Sequence, residues 1–231
     1  FWILSNSISR YYLPLSVQTN PLEKAVMFNN INPLYLITDR TLSGLSHVEM
    51  VREALDAGIR TVQLREKRMP KNAVFREALK VRQISARKKA LFIINDYLDI
   101  ALAVKADGVH LGQSDLPVEE ARRVAGKDII IGISTHNLRQ AKAAQKGGAD
   151  YIGFGPLFPT STKDAGLPRG IEKLRELKKH ITIPIAAIGG IGVENINAVM
   201  ENGADACAVI SGILHGNIKE NIKQYLNAFR Q

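Results

Sequence analysis

Eight short apolar runs, each followed by a stretch with helical spacing, constrain this chain more than any other feature of its sequence. They are Leu34 to Ile37, Thr61 to Leu64, Leu91 to Ile94, Gly108 to Leu111, Ile129 to Ile133, Tyr151 to Phe154, Ile185 to Ile188 and Cys207 to Ile210. A strand that is apolar at successive positions has to be covered on both faces, which is the situation of a parallel sheet wrapped in helices. Helices are predicted near residues 46–57, 70–89, 98–105, 117–125, 137–147, 170–179, 193–202 and 215–229. Eight such pairs in about 200 residues predict an α/β chain folded as a single (β/α)8 TIM barrel; a doubly wound open sheet is the alternative that the regular repetition argues against.

A second periodicity agrees. Asp56-Ala57-Gly58, Lys105-Ala106-Asp107-Gly108, Gly147-Gly148-Ala149-Asp150 and Gly203-Ala204-Asp205 each fall between a helix and an even-numbered strand. Glycine ends the helix and the turn feeds the strand, so these segments belong to the bottom of a barrel, away from chemistry. The first 26 residues share none of this patterning and contain no methionine. They are expected to be a disordered leader or a non-native extension, with the barrel domain spanning 27–231.

Composition narrows the function classes. No apolar run approaches the roughly 18 residues of a membrane span, so no membrane partner is expected. The lone Cys207 sits in an apolar run and cannot form an intramolecular disulfide; a buried thiol in a reducing cytoplasm is the expectation. Five histidines lack metal-ligand spacing, which argues against zinc. The net charge of +9 is concentrated in residues 65–89, which hold ten Lys or Arg against Glu66 and Glu77. Within that window Val74, Phe75, Ala78, Leu79 and Val81 recur at helical spacing, so the cations form the solvated face of an amphipathic helix, and no nucleic-acid partner is expected.

A barrel places its reactive groups after the C-terminal ends of the strands. There the sequence offers Gln63-Leu64-Arg65-Glu66-Lys67, Asn95-Asp96, Gly112-Gln113-Ser114-Asp115, Ser134-Thr135-His136, the loop from Gly155 to Gly166, Gly189-Gly190 and Ser211-Gly212. The loop after the sixth strand combines hydroxyls, glycines and Lys163, the makings of a phosphate cradle, although by itself it could be an ordinary Ser/Thr-rich turn. Asp96 and Asp115 supply two hard oxygen ligands suited to Mg²⁺. Arg65, Lys67 and Lys163 suit a diphosphate, while Gly190 and Ser211 suit a monophosphate. No nucleophile is paired with a base and no dinucleotide fingerprint is present, so group transfer or isomerisation of small phosphorylated substrates by electrostatic stabilisation is indicated. These features do not name the substrates.

Seven segments in order go further: Q-L-R-E-K at 63–67, I-N-D at 94–96, A-D-G-V-H-L-G-Q-x-D at 106–115, G-I-S-T-H at 132–136, D-Y-I-G-F-G-P-L-F-P-T-S-T-K at 150–163, A-I-G-G-I at 187–191 and A-V-I-S at 208–211. In these the chain resembles the thiamine-phosphate synthases, barrel enzymes that join the pyrimidine and thiazole halves of vitamin B1. The resemblance implies that Gln63, Leu64, Arg65, Glu66 and Lys67 with Asn95, Ser134 and Lys163 hold the hydroxymethylpyrimidine diphosphate. It implies that Asp96 and Asp115 bind Mg²⁺, and that Thr160, Ser161, Thr162, Gly190, Ile210 and Ser211 contact the thiazole phosphate. Lys163, Lys67, Arg65 and Ser134 would be the catalytic groups. In the family, diphosphate leaves first and the thiazole nitrogen captures the resulting pyrimidine carbocation. Tyr97 departs from the pattern, since many relatives carry arginine there. Two rival readings remain: a thiazole tautomerase-like paralogue, with a histidine near His136, and a non-catalytic sensor of phosphorylated ligands. The oligomeric state is left open.

Overall fold

The computed structural model describes residues 33–160 and 166–229. The expected leader, and Ser161, Thr162 and Lys163 of the phosphate loop, lie outside the described residues. In chain order the elements are β1 (Leu34–Ile37), α1 (Arg40–Ser43), α2 (His47–Asp56), β2 (Thr61–Leu64), α3 (Lys71–Arg87), β3 (Leu91–Asn95), α4 (Leu98–Ala103) and β4 (Gly108–Leu111). There follow α5 (Val118–Ala125), β5 (Ile130–Thr135), α6 (Leu138–Lys146), β6 (Tyr151–Phe154), α7 (Ile171–Lys178), β7 (Ile185–Ile188), α8 (Ile196–Glu201), β8 (Ala206–Val209), α9 (Ser211–Leu214) and α10 (Ile218–Ala228).

The strands pair in sequence order, all parallel, and β1 returns to β8 with Leu36 opposite Val209, closing the barrel. The expected TIM barrel is therefore the fold. Each strand divides its side chains by parity. Leu34 and Leu36, Val62 and Leu64, Phe92 and Ile94, and their counterparts around the ring face the helices, forming the larger apolar layer. Tyr35, Ile37, Ile93, Ile130, Tyr151, Ala186, Ala206 and Ala208 fill the interior. Small residues make room for large ones there: a Cβ on Gly132 would lie 2.1 Å from Cζ of Tyr151, so that position can only be glycine while Tyr151 occupies the centre.

The boundaries differ from the sequence reading in ways that local chemistry explains. Strand β5 continues through Ser134 and Thr135, because both pair with β6 despite being polar. Helix α1 was not expected; Asp39 caps it by accepting the Thr41 N–H, and Gly44 ends it at φ 71. Helix α2 begins with a capping box, in which Ser46 and Glu49 satisfy each other's backbone amides. The eighth strand starts one residue early, and α9 follows it directly.

The alternate-strand echo has a shared structural cause at three of its four sites. Asp107, Asp150 and Asp205 accept the backbone N–H of Phe92, Ile131 and Ile185, each at 2.8 Å, on the strand before. Each also meets a cation from the helix leading into that strand: Arg82 of α3, Arg122 of α5 and Lys178 of α7. The clamps tie helix to strand at the bottom of the barrel. Asp56 lacks this arrangement and pairs with Lys88 at the surface, 2.8 Å away. Among the described residues, no helix is long and apolar enough to cross a membrane.

Candidate active site

The mouth of the barrel begins where β1 gives way to Thr38 and Asp39. Thr38 Oγ1 lies 2.8 Å from His47 Nδ1 and accepts the Arg65 N–H at 3.2 Å, joining the ends of β1 and β2. His47 is fully buried, and its Nε2 sits 3.2 Å from Glu66 Oε2. Burial pushes His47 down, against the pull of Glu66, so the imidazole is neutral at pH 7 and the contact is a hydrogen bond to a carboxylate. Burial alone would raise the Glu66 carboxyl, but the amides of Arg68 and Met69 together with His47 outweigh it and hold it below its ordinary value. Glu66 thus has one oxygen engaged within its own loop and the other engaged by His47 of α2. It shapes the turn on which Arg65 and Lys67 stand.

Arg65 Nη1 contacts Asp39 Oδ2 at 2.9 Å, which aims the guanidinium along a cleft also lined by Arg40, Lys67 and Arg68. Lys67 reaches across to Asp96 at the end of β3. Asp96 adopts φ 64, a left-handed conformation unusual for a residue with a side chain, and one that recurs at functional sites. Burial raises its carboxyl above the ordinary value; Lys67 opposes the rise and the neighbouring Asp115 carboxylate reinforces it. Asp115 in turn accepts the Gly112 N–H at 2.7 Å. The Asp115 carboxylate disfavours charge on Asp96, an electrostatic arrangement that a hard dication would relieve. The donor set fits Mg²⁺, which takes one or two carboxylates and fills its shell with water and phosphate oxygens. Among the described residues no group of three or more His, Cys, Asp or Glu comes together as a metal site.

Inside this rim lies a cavity bounded by Gln63, His110, Ser134, His136, Thr160, Gly190, Ile210 and Ser211. Ser134 Oγ meets His110 Nε2 at 2.9 Å, and its carbonyl accepts from Gln113. His136 Nδ1 donates to the Gly155 carbonyl at 2.7 Å, and its backbone N–H donates to Gln140, so the histidine holds the start of the loop after β6. That loop is fastened to the end of β7: Leu157 and Phe158 donate to the carbonyls of Ile188 and Gly189 at 2.9 and 3.0 Å. The glycines allow it. Gly189 and Gly190 have φ 98 and 65, and a Cβ on Gly190 would lie 2.6 Å from the Pro159 carbonyl oxygen. Thr160, Gly190 and Ser211 consequently border one hollow, next to the first turn of α9, where helix N–H groups point outward.

Of the expected substrate-binding residues among those described, Gln63, Ser134, Thr160, Gly190, Ile210 and Ser211 border the inner cavity, Arg65, Glu66 and Lys67 line the cleft beside it, and Leu64 and Asn95 line neither. Leu64 turns its side chain into the layer between strand and helices, because parity puts Gln63 inward and Leu64 outward. Glu66 braces rather than lines the inner cavity. Tyr97, the departure from the family pattern, has the Lys71 ammonium 5.4 Å from its ring centre, so positive charge stands beside that position. In the basic window, Arg65, Lys67, Lys71, Lys80, Arg82 and Lys88 each meet a carboxylate. Cys207 is buried against Met200, and burial pushes its thiol up, the reverse of an activated nucleophile. Asp39, His47 and His110 were not foreseen; the strand parity of His110, two residues after Gly108, was the available signal.

Comparison with known proteins bears on what this mouth does. A family model described as "Thiamine monophosphate synthase" matches residues 34–213. The thiamine-phosphate synthase of Lawsonia intracellularis is 47% identical over 198 residues, 84% of this chain and 91% of that protein. That of Methanosarcina barkeri is 45% identical over 199 residues, covering 85% and 90%. Among solved structures, thiamine phosphate pyrophosphorylase from Pyrococcus furiosus superposes with a TM-score of 0.81 at 38% identity, covering 90% of this chain and 98% of that one.

Proposed function

The chain belongs to the thiamine monophosphate synthase family, and from that membership we propose how its barrel mouth works. The activity is that of a thiamine-phosphate synthase, a transferase that joins 4-amino-2-methyl-5-(diphosphooxymethyl)pyrimidine to 4-methyl-5-(2-phosphoethyl)thiazole and releases diphosphate. The observation that supports the assignment of residues best is the meeting of Lys67 with Asp96 beside Asp115, next to the Arg65 cleft.

In this reading Arg65 and Lys67, with Lys163, receive the diphosphate, and Asn95 and Ser134 hold the pyrimidine. Gln63 lines the same cavity from below. Asp96 and Asp115 would hold Mg²⁺, which when bound neutralises charge on the leaving diphosphate. Thr160, Ser161, Thr162, Gly190, Ile210 and Ser211 take the thiazole phosphate at the β7 and β8 ends. Loss of diphosphate before the new C–N bond forms puts the developing negative charge on the leaving group, where fixed cations stabilise it. The buried thiol of Cys207 suits a reducing compartment such as the cytoplasm.

The test is a direct one. Purified protein is given the two substrates with and without Mg²⁺, and diphosphate and thiamine phosphate are measured. Formation of both products, dependent on the metal, is expected; no product in either condition would overturn the reading, and metal-independent product would remove Asp96 and Asp115 from it.

A further inference from the structure

The hollow bordered by Thr160, Gly190 and Ser211 takes two of its walls from the turn after β7 and from the Ser211–Gly212 step after β8. Both are held from behind by α10. Asn221 and Tyr225 stand four residues apart on that helix and therefore on one face of it. Asn221 Nδ2 donates to the carbonyls of Ile213 and His215 at 3.0 and 2.6 Å, fastening the far end of α9. One turn further on, the Tyr225 hydroxyl donates to the Ile191 carbonyl at 2.9 Å. The tyrosine is buried, and its hydroxyl occupies the space of a missing side chain: a Cβ on Gly212 would stand 2.0 Å from Oη. Ile191 and Gly212 line the cavity, one from each wall, whereas Tyr225 lies behind them and outside the lining. A single hydroxyl thus touches both walls.

A carbonyl oxygen only accepts, so the phenol gives its proton to Ile191. Burial pushes that phenol up to about 12, which keeps the proton in place throughout the neutral range. Asn195 fixes the same turn internally, donating through Nδ2 to the Gly190 carbonyl at 3.1 Å and accepting the Gly192 N–H at 3.0 Å. Gly190, at φ 65, has no side chain to restrict it, so ties of this kind give the turn one geometry. Tyr225 fixes the turn relative to the other wall. We propose that Tyr225 is a positioning residue that sets the spacing between the Gly190–Ile191 turn and Gly212, and with it the fit of the hollow to a phosphate monoester. That the monoester is the thiazole phosphate rests on the function proposed above; the tie between the walls does not. Hydrogen bonds weaken steeply with distance and angle, so a small change in that spacing is felt by the ligand.

Tyr225→Phe removes the hydroxyl and leaves the ring. It should raise the KM for the thiazole phosphate about tenfold, the scale of one hydrogen bond, with kcat and the KM for the pyrimidine diphosphate little changed. Gly212→Ala drives its Cβ onto the same hydroxyl and should give the same selective loss; combined, the two should cost less than their separate effects predict, because they break one contact. Ile222→Val thins the buried packing of α10 without touching the hydroxyl, and should lower the unfolding midpoint while leaving both KM values alone. A thiazole phosphate KM that rises as much in Ile222→Val as in Tyr225→Phe would overturn the proposal, as would a Tyr225→Phe enzyme with both KM values raised alike or neither changed. Calorimetry with ethyl phosphate reads the hollow without turnover. Tyr225→Phe should weaken binding about tenfold, and binding that is absent from the wild type or unaltered in the variant would also overturn it. A wild type that binds ethyl phosphate in this Tyr225-dependent way yet makes no thiamine phosphate would count against the function, not against the role of Tyr225.

Discussion

Gly189 and Pro156 are in such close approach that a Cβ on the glycine would stand 2.5 Å from Cβ of the proline. The contact seats the loop after β6 on the end of β7. It joins the loop after β6 and the end of β7 into a single wall of the cavity.

Gly189→Ala should therefore damage both stability and the thiazole side of the site. The residue has φ 98 as well as no space, so a loss of about 1 to 3 kcal/mol is expected in denaturant unfolding. The KM for the thiazole phosphate should rise more than that for the pyrimidine diphosphate. An equal effect on both would show that the wall is not local to one substrate.

Lys67→Met should lower kcat about 10²- to 10³-fold with little change in the unfolding midpoint, because the side chain is half-exposed and its proposed role is on the leaving group. Lys163→Ala, in the segment outside the described residues, should fall in the same range. Near-normal single-turnover rates for either variant would remove that residue from the diphosphate site.

Asp96→Asn separates metal binding from folding. The fold raises the Asp96 carboxyl, so ionisation at neutral pH opposes the folded state, and a neutral amide should leave the metal-free melting temperature unchanged or higher. The Mg²⁺ concentration for half-maximal diphosphate release should increase at least about tenfold. A lower melting temperature with an unaltered Mg²⁺ requirement would contradict both parts.

His47 predicts a pH dependence of stability. Its pKa is lowered in the fold from the ordinary value of 6.5, so the unfolded chain binds more protons as pH falls below about 6.5, and stability declines from there toward the folded pKa. The depressed Glu66 adds a further decline once pH enters the ordinary carboxylate range. Denaturation midpoints measured between pH 7 and pH 5 should fall for the wild type and stay flatter for His47→Leu, which will be less stable throughout.

The bottom clamps should affect folding alone. Asp150→Ala leaves the Ile131 N–H and Arg122 without their shared acceptor, and Asp205→Ala does the same to Ile185 and Lys178. Each should cost about 2 kcal/mol, and the pair should be nearly additive, since they share no partner. Unchanged kcat in both variants below their melting temperatures is the accompanying expectation.

The barrel was legible in the sequence because burial on both faces writes itself as unbroken apolar runs, and because catalytic ends cluster on one face. Where legibility failed, the cause was spatial. Nothing near Glu66 in the chain announces that His47 will occupy one of its oxygens from α2, or that Arg65 will be held by Asp39 across the β1–β2 seam. Strand parity sends alternate members of a five-residue motif to opposite faces, so the side chain of Leu64 lies in the outer apolar layer while that of Gln63 faces the cavity. Tyr35 and Tyr151 are far apart in the chain, yet their hydroxyls meet at 3.0 Å, and only closure of the barrel makes them neighbours.

Gly132 has no functional group, yet the ring of Tyr151 occupies the space that any side chain there would claim. Displacing that ring would pull its hydroxyl from Nδ1 of His110, the imidazole whose Nε2 meets Ser134 two residues along the same strand. In a saturation screen scored by vitamin-dependent growth, Gly132 would rank with the substrate-binding residues. Inspection of ligand contacts alone would not identify it as one of them.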